Sequence, residues 1–270
     1  MTSTATDRAF TQGAEPAEKL VGADRVVAVL THLAEHPLGV TLDELAATLR
    51  SPKPTVHRAL GVLRRAGLAD MTGRGVYILG DEYLRLAFRN LDGRPETARL
   101  QPLLEELATR FGETAHYAVL SGTDIVYRAK MDPPQGAVRL TSVIGGRNPA
   151  SRTAVGRVLL SPLLTELDQV ETWFAPFPLE QKTPSTLTTA AALAEELEAT
   201  RARGFGIDDQ ENEVGVTCVA VPIHLGGSAA ASGAISVSAV SFRTPLHELV
   251  DGVPEIRAVI ARHLGPAALG

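Results

Sequence analysis

Six cations crowd one short stretch of this chain. Arg50, Lys53, Arg58, Arg64, Arg65 and Arg74 face a single acid, Asp70, between positions 50 and 74, while the chain as a whole carries a net charge of −5. Positive charge concentrated on an acidic background suits a phosphate backbone. Val56, Leu60 and Leu63 recur at i, i+4 and i+7, so they form the buried stripe of a helix. Lys53, Thr55, His57, Arg58, Arg64 and Arg65 then fall on its other faces. Arg58 is the candidate base reader, because a guanidinium can bond guanine bidentately, and Lys53 and Arg64 are candidate phosphate contacts. Arg74 lies between two glycines in Thr72-Gly73-Arg74-Gly75, a link suited to a tight hairpin whose tip can reach a minor groove or a phosphate.

A second group of polar residues lies far along the chain. Asp208 ends a predicted strand. Cys218 alternates with Val216 and Ala220, and Ser236 with Ser238, so each set shares one strand face. Alternation alone leaves two readings open: a solvent-facing surface, or the polar part of a small-molecule pocket. A helix beginning near Thr153 offers free backbone N–H groups, which favour an anion. The acidic run from Asp208 to Glu213 could bind a hard cation. For Asp209, Glu211 and Glu213 the plainer expectation is a solvated loop, whereas Asp208 can point inward from its strand. His116 and His224, on or beside strands, read as satisfied core groups rather than ligands.

Other chemistries lack their signatures. No nucleophile elbow, phosphate-binding Walker loop, dinucleotide fingerprint or HExxH motif occurs. A single cysteine, Cys218, rules out an intrachain disulfide and a Cys₄ or Cys₂His₂ zinc site within one chain. No apolar run approaches the roughly 20 residues of a membrane span, and the first residues lack the apolar core of a signal peptide. A cytoplasmic protein without catalytic residues, metal or cofactor is therefore expected. The competing reading is a metal-dependent hydrolase built on Asp208, Asp209, Glu211 and His224. A further one gives the second domain only an oligomerisation role.

The elements that must position these residues can be read in order. A helix over 21–35 carries Val26, Val27, Leu30 and Leu33 on one side. Thr41 and Glu44 have the spacing of a capping box and start a second helix. Ser51 can cap the third, with Pro52 in its first turn, and Gly67 ends it. Strands over 68–71 and 76–79 complete a winged helix-turn-helix. A strongly apolar helix over 81–91 (Leu84, Leu86, Phe88) suggests dimerisation, and Asp92-Gly93-Arg94-Pro95 marks a boundary. Beyond it come a helix to Phe111, strands over 114–120, 124–130 and 138–143, and a loop over 144–149. A Pro-rich stretch over 171–187 reads as a mobile cover, followed by a helix over 188–203. Strands over 205–208, 216–223 and 233–240 and a helix over 245–264 close the chain. The fold class is α+β. Residues 1–19 form a disordered arm, 20–80 a winged helix-turn-helix DNA-binding domain, 81–94 a linker helix and 95–266 an effector-binding domain.

Specific runs of residues resemble the IclR family of bacterial transcription regulators over positions 21–264. In the first domain these are Pro52-Lys53 and Thr55-Val56-His57-Arg58. In the second they are Thr153-Ala154-x-Gly156-Arg157-x-Leu159-Leu160, then Gly204-Phe205-x-x-Asp208-Asp209-x-Glu211 with Gly215-Val216-x-Cys218-Val219-Ala220-x-Pro222-Ile223, then Ile235-Ser236-Val237-Ser238. The resemblance implies a GAF-like effector domain with an antiparallel sheet and flanking helices, and dimers that pair into tetramers. It also implies a double-stranded DNA operator as partner, with small carboxylates or aromatic catabolites as effectors. By motif position the implied pocket comprises the backbone at Ala154 and Val155 with Asp208, Cys218, Ser236 and Ser238. The chain departs from the family pattern at Pro54, where Ser is frequent, at Ser151, where His is common, at Arg157, where Lys is usual, and at Ala239-Val240, where Gly-Pro is frequent.

Overall fold

The computed structural model describes residues 22–93, 96–134, 140–226 and 230–270. The expected arm over 1–19 lies outside them. The chain divides into two compact units between Pro95 and Glu96.

The first unit begins with α1 (Gly22–Glu35), followed by the two-residue strand β1 (Val40–Thr41), α2 (Leu42–Thr48) and α3 (Lys53–Arg65). Strands β2 (Ala69–Met71) and β3 (Val76–Leu79) form the wing, and α4 (Asp81–Asp92) ends the unit. Strand β1, which the sequence pattern does not reveal, pairs with β3 to give a three-stranded antiparallel sheet in the order β1-β3-β2. Its core joins Val29 and Leu33 of α1, Leu45 of α2, and Val56, Leu60 and Leu63 of α3 with Tyr77 of the wing. Truncating one of the buried leucines of α3 to Ala costs about 2–5 kcal/mol.

Local chemistry sets the helix ends. The capping box is formed: Thr41 Oγ1 accepts the Glu44 N–H at 3.2 Å, and Glu44 accepts the Thr41 N–H at 2.7 Å. Helix α3 ends with Gly67 at φ +70°, where the Gly67 N–H bonds the Arg64 carbonyl and the Leu68 N–H bonds that of Leu63. The same closure ends α2, with Arg50 at φ +45° in the position that favours glycine. Two expectations are corrected here. Ser51 does not cap α3, whose N-cap is Pro52, and its hydroxyl instead donates to the Leu49 carbonyl at 3.0 Å. Val27 is 61% exposed, and Val29 takes its place in the buried stripe.

The second unit opens with α5 (Glu96–Phe111), then β4 (Thr114–Ser121), β5 (Asp124–Met131) and β6 (Arg147–Pro149). A 3₁₀ turn at Ala150–Arg152 leads to α6 (Ala154–Leu160), α7 (Leu167–Phe174) and α8 (Ala190–Arg203). Strands β7 (Gly206–Asp209), β8 (Val216–Ile223) and β9 (Gly233–Val240) follow, then α9 (Leu246–Asp251) and α10 (Val253–Leu264). The six strands form one antiparallel sheet in the order β6-β5-β4-β9-β8-β7. Residues of α5, α9 and α10 pack on one face with Val219, Val221, Ile235 and Val237. Residues of α6, α7 and α8 pack on the other with Ala118, Ile125, Cys218 and Ala220. The molecule is thus α+β in both units.

Three further expectations change in this unit. Of the strand expected over 138–143, positions 138 and 139 lie outside the described residues and 140–143 are not extended in a ladder. The edge strand is β6, in the segment read as a loop. Arg147 fixes it by donating to Asp124 at 3.2 Å, and Pro149, which has no N–H, is tolerated at a sheet edge. The Pro-rich stretch begins inside helix α7 and then packs down: Thr183 and Thr186 are buried, and the Thr186 hydroxyl donates to the Glu211 carbonyl at 2.8 Å. The closing helix is two helices, broken at Gly252, because Pro254 has no N–H to continue the first.

Candidate nucleic-acid interface and effector site

On α3 the buried residues Val56, Ala59, Leu60 and Leu63 fix which side faces out. At about 100° per residue, Lys53, His57 and Arg64 fall within an arc of roughly 40°. All three are exposed, as are Arg58 and Arg74. Arg58 lies about 100° further round than His57, beside Pro54 and Arg65, and its Nε donates weakly to the Pro54 carbonyl at 3.4 Å. Thr55 is half-buried on the core-side border of the helix, so it does not join the others. Arg65, exposed seven residues after Arg58, belongs to the same face, where the helical pattern places it. Lys53 pairs with Asp43 at 2.9 Å, both well exposed. Such a pair is worth about 0–1 kcal/mol and can exchange for a phosphate. A shallow groove of about 660 Å³ sits at the end of α3, lined by Arg64, Arg65, Asp70, Asp81 and Glu82 among others. Its mixed charge favours neither an anion nor an apolar ligand.

In the second unit the α6-facing side of the sheet carries a strip of polar side chains. Antiparallel register sets Asp208 opposite Cys218, Cys218 opposite Ser238, and Ser236 opposite His116. The Ser238 hydroxyl donates to Cys218 Sγ at 3.1 Å. Asp208 Oδ1 accepts the Glu211 N–H at 2.8 Å. All five residues of the strip are buried. A bulge at Arg128 keeps Tyr127 on this face, with its ring 4.8 Å from that of His116 and its hydroxyl accepting from Asn148.

Ala154 and Val155 border the strip in the same apolar cluster as Cys218. Thr153 Oγ1 accepts the Gly156 N–H at 3.0 Å, while the N–H groups of Ala154 and Val155 precede the first intrahelical bond of α6. Close approach explains two glycines, Gly156 of the motif and Gly206 outside it. A Cβ at Gly206 would lie 2.0 Å from the Ala154 carbonyl oxygen, and one at Gly156 2.1 Å from that of Ala150.

Burial governs the charge of the strip. It pushes the Asp208 carboxyl up to about 7, opposed by the Glu211 N–H and by Arg157. It raises the Cys218 thiol to about 12 and lowers His116 to about 3, so both are neutral near pH 7. His116 Nε2 lies 2.8 Å from the Ser142 hydroxyl, whereas its buried Nδ1 has no hydrogen-bond partner among the described residues. Sequence reasoning took His116 for a satisfied core group. What singles it out is the register that sets it opposite Ser236, which the sequence alone does not carry.

The acidic loop is also corrected. Glu211 is buried, not solvated, and binds Arg157 bidentately, with Nη1 donating at 2.6 Å and Nη2 donating to the other oxygen. Asp209 and Glu213 are exposed as expected. This pairing gives the Arg at position 157 a fork geometry that Lys lacks. It also occupies Glu211, and His224 lies against the C-terminal end, where its N–H donates to the Ala268 carbonyl. The four residues of the hydrolase reading do not form a metal-sized group among the described residues.

A basic α3 with a wing, in one chain with an α+β unit that buries a polar strip, defines a winged-helix DNA-binding protein with a second, α+β domain. Comparison with known proteins agrees. The model of the IclR helix-turn-helix domain matches residues 22–70, and that of the bacterial transcriptional regulator IclR C-terminal domain matches residues 90–262. The probable transcriptional regulator SauR of Cupriavidus necator is 33% identical over 238 residues, covering 88% of this chain and 92% of its own. The crystal structure of a putative IclR regulator from Silicibacter superposes with a TM-score of 0.73 at 27% identity, covering 90% of this chain and 97% of its own. A double mutant of the PobR inducer-binding domain from Acinetobacter, in complex with 3-hydroxybenzoic acid, is similar at 28% identity with a TM-score of 0.56, covering 63% of this chain and 97% of its own. The chain belongs to the IclR family of bacterial transcriptional regulators. Among the described residues no helix is long and apolar enough to cross a membrane.

Proposed function

We propose that this regulator reads a double-stranded operator through α3 and the wing, and that a small organic acid bound against the α6-facing side of the sheet alters that binding. Lys53, His57, Arg58 and Arg64 with Arg74 carry the DNA contacts, and Thr55 contributes only from the border of that face. The effector reading rests on one observation: a buried imidazole nitrogen, His116 Nδ1, without a partner among the described residues, set in a strip of buried polar groups. Leaving a buried acceptor or donor unpaired costs about 1–3 kcal/mol, and a ligand hydroxyl or carboxyl can recover that. Ser236, Ser238, Asp208 and Cys218 add donors and acceptors, and the N–H groups of Ala154 and Val155 add two more. The similarity to a domain that holds 3-hydroxybenzoic acid supports a small, flat acid of that size.

The control is a population shift. The acid favours one arrangement of a homodimer or tetramer and so changes the spacing of the reading helices. Helix α4 suits the dimer contact, because Leu84, Leu86 and Phe88 stand 46%, 48% and 63% exposed on it. The test is calorimetric titration with hydroxybenzoates and short aliphatic carboxylates, followed by anisotropy on operator DNA with and without the acid that binds. Binding that persists unchanged in the Ser236→Ala/Ser238→Ala protein would refute the site. If no acid of the panel binds, the reading of the second unit as an oligomerisation module is favoured. A protein that stays dimeric with both Leu84 and Phe88 changed to Asp excludes α4 as the contact.

A further inference from the structure

We infer that the end of α1 is a binding site for a first-row divalent transition-metal ion of the zinc class, held by His32, Glu35 and His36. One ligand atom from each of the three lies within 4.8 Å of the others. No other group of three His, Cys, Asp or Glu side chains meets that closeness among the described residues. The sequence His32-Leu33-Ala34-Glu35-His36 explains the cluster. Positions i, i+3 and i+4 of a helix stack over one another. Leu33, between them, is fully buried and anchors the turn to the core, so the donors stand on a rigid support.

The tautomer of His36 is already that of a metal ligand. Its Nδ1 lies 2.8 Å from the His32 carbonyl oxygen. That carbonyl is among the last four of α1, which lack an intrahelical N–H. The bond requires Nδ1 to carry the proton, so in the neutral ring Nε2 keeps the lone pair that an ion needs. Metal-bound histidines are commonly oriented in this way, with the second nitrogen donating to a carbonyl or carboxylate. The rings of His32 and His36 lie 4.1 Å apart between centroids and 31° from parallel, so one ion can take a nitrogen from each. Two Zn–N bonds of about 2.0–2.1 Å at a tetrahedral angle set their nitrogens roughly 3.3 Å apart. The ligand atoms, already within 4.8 Å of one another, therefore close by at most about 1.5 Å on binding, through rotation of the side chains.

Two imidazoles and one carboxylate favour Zn(II), Co(II), Ni(II) or Cu(II) over the hard cations Mg(II) and Ca(II). Three protein ligands leave a fourth position for water. The site belongs wholly to the first unit and owes nothing to the polar strip of the second. Its mechanical place is specific. After His36 the chain turns, the Gly39 N–H donating to the His36 carbonyl at 2.8 Å, and enters β1, whose last residue caps α2. A bound ion fixes the end of α1 against that turn and stabilises the DNA-reading unit independently of any organic effector.

The test uses the full-length protein, stripped with a chelator and dialysed at about pH 7.5. It is titrated with CoCl₂, read by visible absorption, then with ZnCl₂ as competitor, and bound metal is counted by equilibrium dialysis. The expected result is one saturable equivalent per chain, a tetrahedral cobalt spectrum displaced by zinc, and a higher melting temperature for the first unit. His32→Ala and His36→Ala each weaken binding by roughly tenfold or more, and Glu35→Gln weakens it less, while His247→Ala leaves it unchanged. Metal-free circular dichroism of each variant must match that of the parent. Should either histidine variant misfold, the exposed Glu35→Ala decides with the same readout, and unchanged affinity there overturns the assignment. Absence of a saturable equivalent overturns it, and so does stoichiometric binding that survives loss of both histidines.

Discussion

Removing the Glu211 carboxylate should expose how much of the second unit hangs on one buried charge pair. Arg157 is 2% exposed and Glu211 7% exposed, and they meet bidentately. Glu211→Ala leaves a guanidinium buried without its counter-charge, a loss that typically costs about 3–5 kcal/mol. Two features place the cost at the lower end. Arg157 also donates to the carbonyls of Ile207 at 2.8 Å and Ser151 at 3.3 Å, and the Glu196 carboxylate stands 3.8 Å away. A loss of about 3 kcal/mol, at a urea slope of roughly 2 kcal/mol/M, moves the unfolding midpoint down by about 1.5 M. The only tryptophan, Trp173, lies in α7 of this unit, so its fluorescence reports that transition separately from unfolding of the first unit. The double variant Arg157→Met/Glu211→Leu removes both charges and fills the space. It should recover most of the loss, because apolar replacements of buried pairs are often neutral or stabilising. A loss below about 1 kcal/mol for Glu211→Ala, the worth of an exposed pair, would refute the reasoning. So would a double variant as unstable as the single one, since shape rather than charge would then be responsible.

Three other outcomes follow from particular residues. With its carboxyl raised to about 7 from 3.8 by burial, Asp208 keeps its proton in the folded chain after the unfolded chain has released it. Stability therefore falls as pH rises from about 4 to about 7. Asp208→Asn keeps an oxygen for the Glu211 N–H and should be more stable than the parent at pH 8, by at most about 4 kcal/mol at 1.4 kcal/mol per unit, with the gain gone near pH 4; a pH-independent difference in urea midpoints contradicts this. Arg50→Gly relieves a left-handed backbone at φ +45° and should raise stability by about 0.5–1 kcal/mol, which thermal melting checks. Arg58→Ala should relax base preference by about 1–3 kcal/mol, whereas Lys53→Ala should weaken all sequences alike and flatten the salt dependence by about one unit of slope; competition anisotropy on operator and scrambled DNA separates the two.

The parts legible in the sequence are those written in local chemistry. The Thr41–Glu44 box, the leucine stripe of α3, Gly67 and the strands β8 and β9 need only near neighbours to be recognised, and they stand where periodicity puts them. The misreadings have long-range causes. Glu211 looks solvated in a run of six polar residues, and only Arg157, 54 positions away, draws it inside. Strand β6 is three residues ending in proline, and it exists because β5 offers an edge to pair with. Strand β1 is two residues long and owes its assignment to β3. His116 was passed over because a lone strand histidine carries no signal until the register sets it opposite Ser236.

The same register constrains what the proposed effector site can recognise. Two cations of that face are already committed: Arg157 to Glu211, and Lys130 to the carbonyls of Leu140 and Ser142 at 2.8 Å each and to Asp132 at 3.1 Å. An acid in the proposed site is therefore met by hydroxyls, an imidazole held neutral by burial, and backbone N–H groups, and not by a full opposite charge. Hydrogen-bond geometry and fit against the apolar floor then select the ligand, in a site screened little by salt. The DNA half works by the opposite physics. Its cations are exposed, its partner is a polyanion, and its affinity falls with rising salt as counterions are released. Ionic strength should thus separate the two interactions within one chain, moving operator affinity by orders of magnitude while leaving effector affinity nearly level.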